Sequence, residues 1–114
     1  VGVFHKSFMQ KYAQIFGNRY KKLVIVKGNE GTAEIFSKCQ YWIVENDKIT
    51  EHKIDPKDFG INYARSWDKI SLDASLDAIN NPNQELLKLA KLNTALILFA
   101  CDKTKSVKEG YFKL

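Results

Sequence analysis

The stretch Leu23-Val24-Ile25-Val26 limits what this chain can fold into more than any other. Four consecutive aliphatic residues, three of them β-branched, show no polar alternation, so they predict a strand covered on both faces. A strand of that kind belongs to a parallel or mixed sheet flanked by helices. The preceding segment agrees: Phe8, Tyr12, Ile15 and Phe16 fall at helical spacing, which predicts an amphipathic helix over Lys6 to Phe16 with Gly17-Asn18 as its stop. Beyond the strand, Gly28-Asn29-Glu30-Gly31 forms a loop. In open α/β sheets ligands gather at the carboxyl ends of strands, so this loop is the first place to look for chemistry.

The middle of the chain changes character. Ala33 to Ser37 is a short strand candidate, and Gln40 to Val44 with Ile49 to Ile54 read as a hairpin with one wet face. Asp55-Pro56 has the form of a helix start, limited to one or two turns by Gly60. Ile61 to Ile70 has no clear period and reads as a loop anchored by Trp67. The last third is helical. Leu72, Leu76 and Ile79 recur at i, i+4 and i+7 before Asn80-Asn81-Pro82-Asn83 interrupts them. Gln84 to Ala100 is apolar nearly all round, which predicts a helix buried on most sides, with Asn93 an amide that must find partners. Ser106-Val107-Lys108-Glu109 has the form of a capping box, so a further helix begins there.

No repeat or low-complexity linker divides the 114 residues, and one α/β unit over 1–114 is expected, a mixed sheet covered by helices. The chain starts at Val1 and stops inside a helix, which reads as a partial domain truncated at both ends. No apolar run approaches the roughly 18 to 20 residues of a membrane-spanning helix, and no secretory leader opens the chain. With two cysteines, Cys39 and Cys101, lacking metal-ligand spacing, free thiols in a cytoplasmic protein are expected.

Charge weighs against a nucleic-acid partner despite a net charge of +5. Only Arg19 and Arg65 are arginines, the residue that reads guanine bidentately. The tight cluster Arg19-Tyr20-Lys21-Lys22 stands alone, and the other lysines alternate with acids in the manner of a solvated surface. His5 and His52 have no Cys or Ser partner at a recognisable spacing, and neither thiol carries an activation signature. Gly28 to Gly31 lacks the third glycine of a dinucleotide fingerprint and the Lys-Ser/Thr ending of a P-loop. Glu30 and Glu34 remain. Both follow the buried strand, where a carboxylate can hold Mg²⁺ together with water and substrate phosphates.

Four stretches together resemble the carboxyl-terminal part of the anthranilate phosphoribosyltransferase family. Gly2-Val3-Phe4 and the helix after it are similar to the family's segment leading into its next strand. Val24 to Ile35 resembles the family's apolar strand followed by His-Gly and then Gly-Leu-Asp-Glu-Ile. Ile49 to Ile61 is similar to its I-x-E-x-x-I-x-P-x-D-F-G stretch. Leu92-Asn93-Thr94-Ala95-Leu96-Ile97-Leu98, with Ser106 to Gly110 beyond, resembles its L-N-A-A-x-x-L helix and the helix start that follows.

The resemblance implies transfer of phosphoribose from 5-phosphoribosyl 1-pyrophosphate to anthranilate, a step of tryptophan biosynthesis, with Mg²⁺ as cofactor. It implies that Glu34 matches the Glu of the family's metal-holding Asp-Glu pair. Ala33 stands in place of the Asp and Lys27 in place of the His, and Glu30 is the nearby candidate for a substitute ligand. It further implies that the phosphoribosyl-pyrophosphate loop, the anthranilate-contacting residues and a helical homodimerisation domain precede Val1, so that the piece alone is inactive. Two other readings compete: a nucleic-acid-binding relative of the same fold without catalysis, and a pyrimidine-nucleoside phosphorylase.

Overall fold

The aliphatic run becomes an interior strand of a four-stranded mixed sheet in the structure, a computed structural model that describes residues 1–64 and 71–114. The strands are β1 (Gly2–Val3), β2 (Lys22–Lys27), β3 (Cys39–Glu45) and β4 (Lys48–Ile54), in the order β1-β2-β3-β4. β1 runs parallel to β2, and β2, β3 and β4 are antiparallel neighbours. Helices α1 (Lys6–Phe16), α2 (Leu72–Asn80), α3 (Gln84–Ala100) and α4 (Val107–Lys113) complete the described residues, with a 3₁₀ turn over Pro56–Phe59. The α/β class and the covered mixed sheet are as expected.

Both faces of β2 are covered, as its lack of alternation requires. Ile25 is fully buried in a small core with Val3, Met9, Ala13 and Val44, under α1. Val24 and Val26 point the other way, into a larger core with Ile35, Leu89, Leu92, Leu96, Phe99 and Tyr111 from the α3 and α4 side. The bounds of α1 match the sequence reading, but its inward face is rotated. Met9 and Ala13 are buried and Tyr12 packs against them, while Phe8 and Ile15 are exposed. Met9, Tyr12, Ala13 and Phe16 form an equally regular i, i+3, i+4, i+7 stripe. Phe8 and Ile15 on the wet side concealed it.

The β3–β4 hairpin is longer than its hydrophobic pattern and closes on two residues. Glu45 pairs with Lys48, and Asn46 and Asp47 adopt φ of 52° and 60°. Both left-handed positions belong to a type I′ turn, whose twist matches that of the strands, and Asn and Asp tolerate it better than other side chains. At Asp55 the carboxylate accepts the Lys57 N–H at 3.0 Å and Pro56 opens the turn, which ends at Gly60 with φ 72°. Trp67 and Ile70 lie outside the described residues, so only Ile61 to Ala64 of that loop is placed; Ile61 is buried.

Ala33 to Ser37 is not a strand. Its backbone groups are taken by side chains instead of a ladder: Ile35 N–H donates to Asn93 Oδ1 at 2.8 Å, and Asn93 Nδ2 donates to Ile35 O at 2.8 Å. Phe36 N–H and Ser37 N–H both donate to Asn29 Oδ1. Two asparagine amides supply the pairing that a neighbouring strand would, and no segment of extended backbone is needed.

α3 is buried on one side only. Leu89, Leu92, Ala95, Leu96 and Phe99 face the sheet, whereas Leu87 and Ile97 are exposed. Its carboxyl end is closed from a distance by Lys22, whose ammonium donates to Phe99 O at 2.7 Å and to Asp102 Oδ1 at 3.2 Å. A cation there satisfies a free carbonyl and complements the helix dipole. Ser106 caps α4 by accepting the Glu109 N–H, and Glu109 reaches back to the Lys105 N–H, one residue earlier than in a regular capping box. Among the described residues, no helix is long and apolar enough to cross a membrane.

Candidate functional site

The loop after β2 sits where the topology places ligands, at the carboxyl ends of the parallel pair β1 and β2. Two glycines allow it to fold back over those strand ends. A Cβ on Gly28 would lie 1.6 Å from Thr32 O, and one on Gly2 would lie 2.0 Å from the Thr32 carbonyl carbon. Neither approach is possible for any other residue. Asn29 then ties the start of the loop to its end, since its amide also donates to Ser37 Oγ at 2.7 Å. Asn93 fastens the centre to α3. The loop is therefore held at both ends and in the middle by groups with little freedom.

The loop separates two depressions with different chemistry. On the α3 side, Ala33 and Glu34 line an apolar groove of about 470 Å³ together with Leu86, Ala90, Asn93 and Ile97. Glu34 is exposed at its edge. Glu30 is exposed in the same loop but does not line this groove. On the α1 side, a cleft of about 540 Å³ is lined by Lys27, Lys38 and Lys53 with His5, Gln40 and Phe4, and no acidic residue lines it. The strand register explains the convergence. Lys27 pairs with Gln40, and Gln40 with Lys53, so the two lysines flank one residue across three strands. They are 26 residues apart in sequence, which is why charge patterning along the chain does not reveal them. Pairing the predicted hairpin residue by residue against β2 is the signal that finds them.

The other candidates take structural positions. Lys22 of the basic cluster is drawn inward to α3, with its ammonium 3.5 Å from the centroid of the Phe99 ring, so the cluster does not present its charge on one face. His52 stacks on Tyr41 at 5.1 Å and bonds Thr50 Oγ1, and His5 stands at the N-cap of α1 against Phe4. Burial pushes the Cys39 thiol up to about 11, which keeps it protonated and unreactive at neutral pH; Cys101 is exposed. Among the described residues no three His, Cys, Asp or Glu side chains gather into a site able to hold a metal ion by themselves. The donor set around the loop fits only a cation shared between one or two carboxylates and a ligand's own phosphates, the usual manner of binding Mg²⁺.

Comparison with known proteins bears on the whole chain. The family model described as "Glycosyl transferase family, a/b domain" matches residues 1–114. Among similar proteins, the anthranilate phosphoribosyltransferase of Saccharolobus islandicus is 31% identical over 97% of this chain and 35% of its own length. Those of Sulfurisphaera tokodaii and Neisseria meningitidis are 27% and 26% identical over 97% and 96% of the chain. The chain spans about a third of the length of these curated relatives, 35%, 35% and 34% respectively. A match along every element from β1 to α4 leaves one conclusion: the chain belongs to the glycosyl transferase family described by that a/b domain model.

Proposed function

We propose that this chain is part of an anthranilate phosphoribosyltransferase of the tryptophan pathway, acting in the cytoplasm. The observation that carries the reading is the 31% identity, over 97% of the chain, to a relative of that name. In the reaction the anthranilate nitrogen bonds to C1 of the ribose, the C1–O bond to pyrophosphate breaks, pyrophosphate leaves with the bonding electrons, and the nitrogen loses one proton. Positive charge grows on the sugar and negative charge on the leaving group, so positioning and electrostatics are the protein's main contributions.

Glu34, with Glu30 as the second candidate, would hold Mg²⁺, which when bound neutralises charge on the pyrophosphate. What the chain itself supplies is a fixed platform: Asn29 and Asn93 hold the loop that carries Glu34, and Gly2 and Gly28 let that loop lie against the strand ends. Ala33 leaves that platform one carboxylate short of the family pair. The remaining substrate contacts and a homodimer interface belong to the rest of the parent protein, and the 114-residue chain alone is inactive.

The test is consumption of anthranilate by the full gene product with phosphoribosyl pyrophosphate and Mg²⁺. Turnover by the full product and none by residues 1–114 is expected. Phosphorolysis of pyrimidine nucleosides with no anthranilate consumed would replace the reading with the nucleoside phosphorylase. Within the active protein, Glu34→Ala should raise the Mg²⁺ concentration needed for half-maximal rate about tenfold, the effect of losing one charge-assisted contact. An unchanged Mg²⁺ dependence would remove Glu34 as a ligand.

A further inference from the structure

We infer that the outer edge of β4 is an interaction surface for a second copy of this chain, whose own β4 pairs with it antiparallel and continues the sheet across a two-fold axis. β4 ends the sheet, with β3 as its one strand neighbour among the described residues. Lys48, Ile49, Thr50, Glu51 and Lys53 are all exposed. The two-residue turn decides which backbone groups this edge offers. Glu45 and Lys48 flank the turn and exchange hydrogen bonds, so every second residue of β4 from Lys48 onward bonds β3. The N–H and C=O groups of Ile49, Glu51 and Lys53 therefore point outward. No other backbone hydrogen bond reaches residues 48–54 among the described residues, and such an unpaired row is a template for another strand.

Charges on a strand edge ordinarily keep strands apart; on β4 they fix a register instead. Glu51 stands on the α1 face, opposite Trp42 and 3.0 Å from the Lys6 ammonium, and Lys53 shares that face two residues on. His52 stands on the other face, stacked on Tyr41. An axis normal to the sheet keeps each face continuous, so residues meet only partners from the same face. One register then sets Glu51 of each copy opposite Lys53 of the other, with Thr50 opposite Ile54 and the two His52 side chains astride the axis. A shift of two residues one way brings Glu51 against Glu51. A shift the other way brings Lys53 against Lys53 and Glu51 against Asp55. Like charge penalises both neighbouring registers, and the Lys6 contact holds the Glu51 carboxyl below the usual carboxylate range, so its charge is present at neutral pH. Edge pairing alone buries little surface, which makes the association weak and reversible. The surface is distinct from the homodimer interface assigned above to the rest of the parent, and it does not rest on the transferase reading.

The experiment is sedimentation of the 114-residue chain from about 10 μM to about 1 mM, the range suited to so small an interface, with amide exchange measured at both ends of it. The average mass should rise from monomer toward dimer. The outward amides of Glu51 and Lys53 should gain protection with concentration, while those of Thr50 and His52, already bonded to β3, stay as they are. Glu51→Lys and Lys53→Glu, both at exposed positions, should keep the wild-type melting temperature and weaken dimerisation at least about tenfold, because symmetry repeats each like-charge pair. The double swap Glu51→Lys/Lys53→Glu restores opposite charges in the same register and should recover the affinity to within about threefold. Lys11→Glu, away from the edge, should leave it unchanged. A chain that stays monomeric throughout would overturn the surface. So would association that leaves the Glu51 and Lys53 amides unprotected, since the contact would then lie on another face. A double swap as weak as the single reversals would overturn the register.

Discussion

α2 and α3 carry the same kind of apolar signal and meet opposite fates. Leu89, Leu92, Leu96 and Phe99 of α3 are 4%, 0%, 5% and 8% exposed, while Leu72, Leu76 and Ile79 of α2 are 74%, 47% and 75% exposed. Each helix has a proper N-cap: Ser71 accepts the Ala74 N–H and Asn83 the Leu86 N–H. Local sequence therefore makes both helices equally well. The difference lies in what the rest of the chain offers them. α3 lies across the Val24 and Val26 face of β2 and also meets α4, where a Cβ on Gly110 would lie 3.3 Å from Ala95 Cβ. α2 finds no such surface among the described residues. Periodicity states which side of a helix is apolar, and burial further depends on a partner being present.

Three substitutions break or sharpen that contrast. Leu92→Ala should have the largest effect, a loss of about 3–5 kcal/mol in urea unfolding, because a fully buried leucine at the centre of the larger core leaves a cavity. A loss below about 1 kcal/mol would mean that α3 is not the main cover of the sheet. Asn93→Leu keeps the bulk of the side chain but strips Ile35 of partners for both backbone groups, and should cost about 2–3 kcal/mol while exposing the Gly28–Ser37 loop to proteolysis. Protease resistance equal to wild type would show that the loop is held by other contacts. Leu76→Ser on α2 should change stability by less than about 0.5 kcal/mol. A cost comparable to Leu92→Ala would mean that α2 has a partner within the chain.

What could be read from sequence follows the same division between local and distant causes. The covered strand, the bounds of α1 and α3, the turn at Asp55 and the cap of α4 depend on neighbours within a few residues, and each is legible. The inward side of α1 is not, because Phe8 and Ile15 mimic a core stripe while Met9 and Ala13 make the contact with Ile25. Ala33 to Ser37 has strand-like composition, yet its backbone is claimed by Asn29 and by Asn93, the latter 58 residues from Ile35. Asn93 was recognisable as an amide in need of partners, although which partners it takes depends on the fold. Glu34 was singled out as a candidate from its place after the buried strand and from the family resemblance. The lysine cleft was not, since Lys27 and Lys53 are brought together by strand register, with Lys38 joining from the segment before β3.

Amide hydrogen exchange of the folded chain tests the contrast most directly, because it reads each helix separately under native conditions. The account predicts that the amides of Leu92 to Phe99 exchange only with global unfolding, whereas those of Leu76 to Asn80 exchange through local opening at least about a hundredfold faster. Equal protection of the two helices would contradict it, and would mean that α2 is held by the core as firmly as α3.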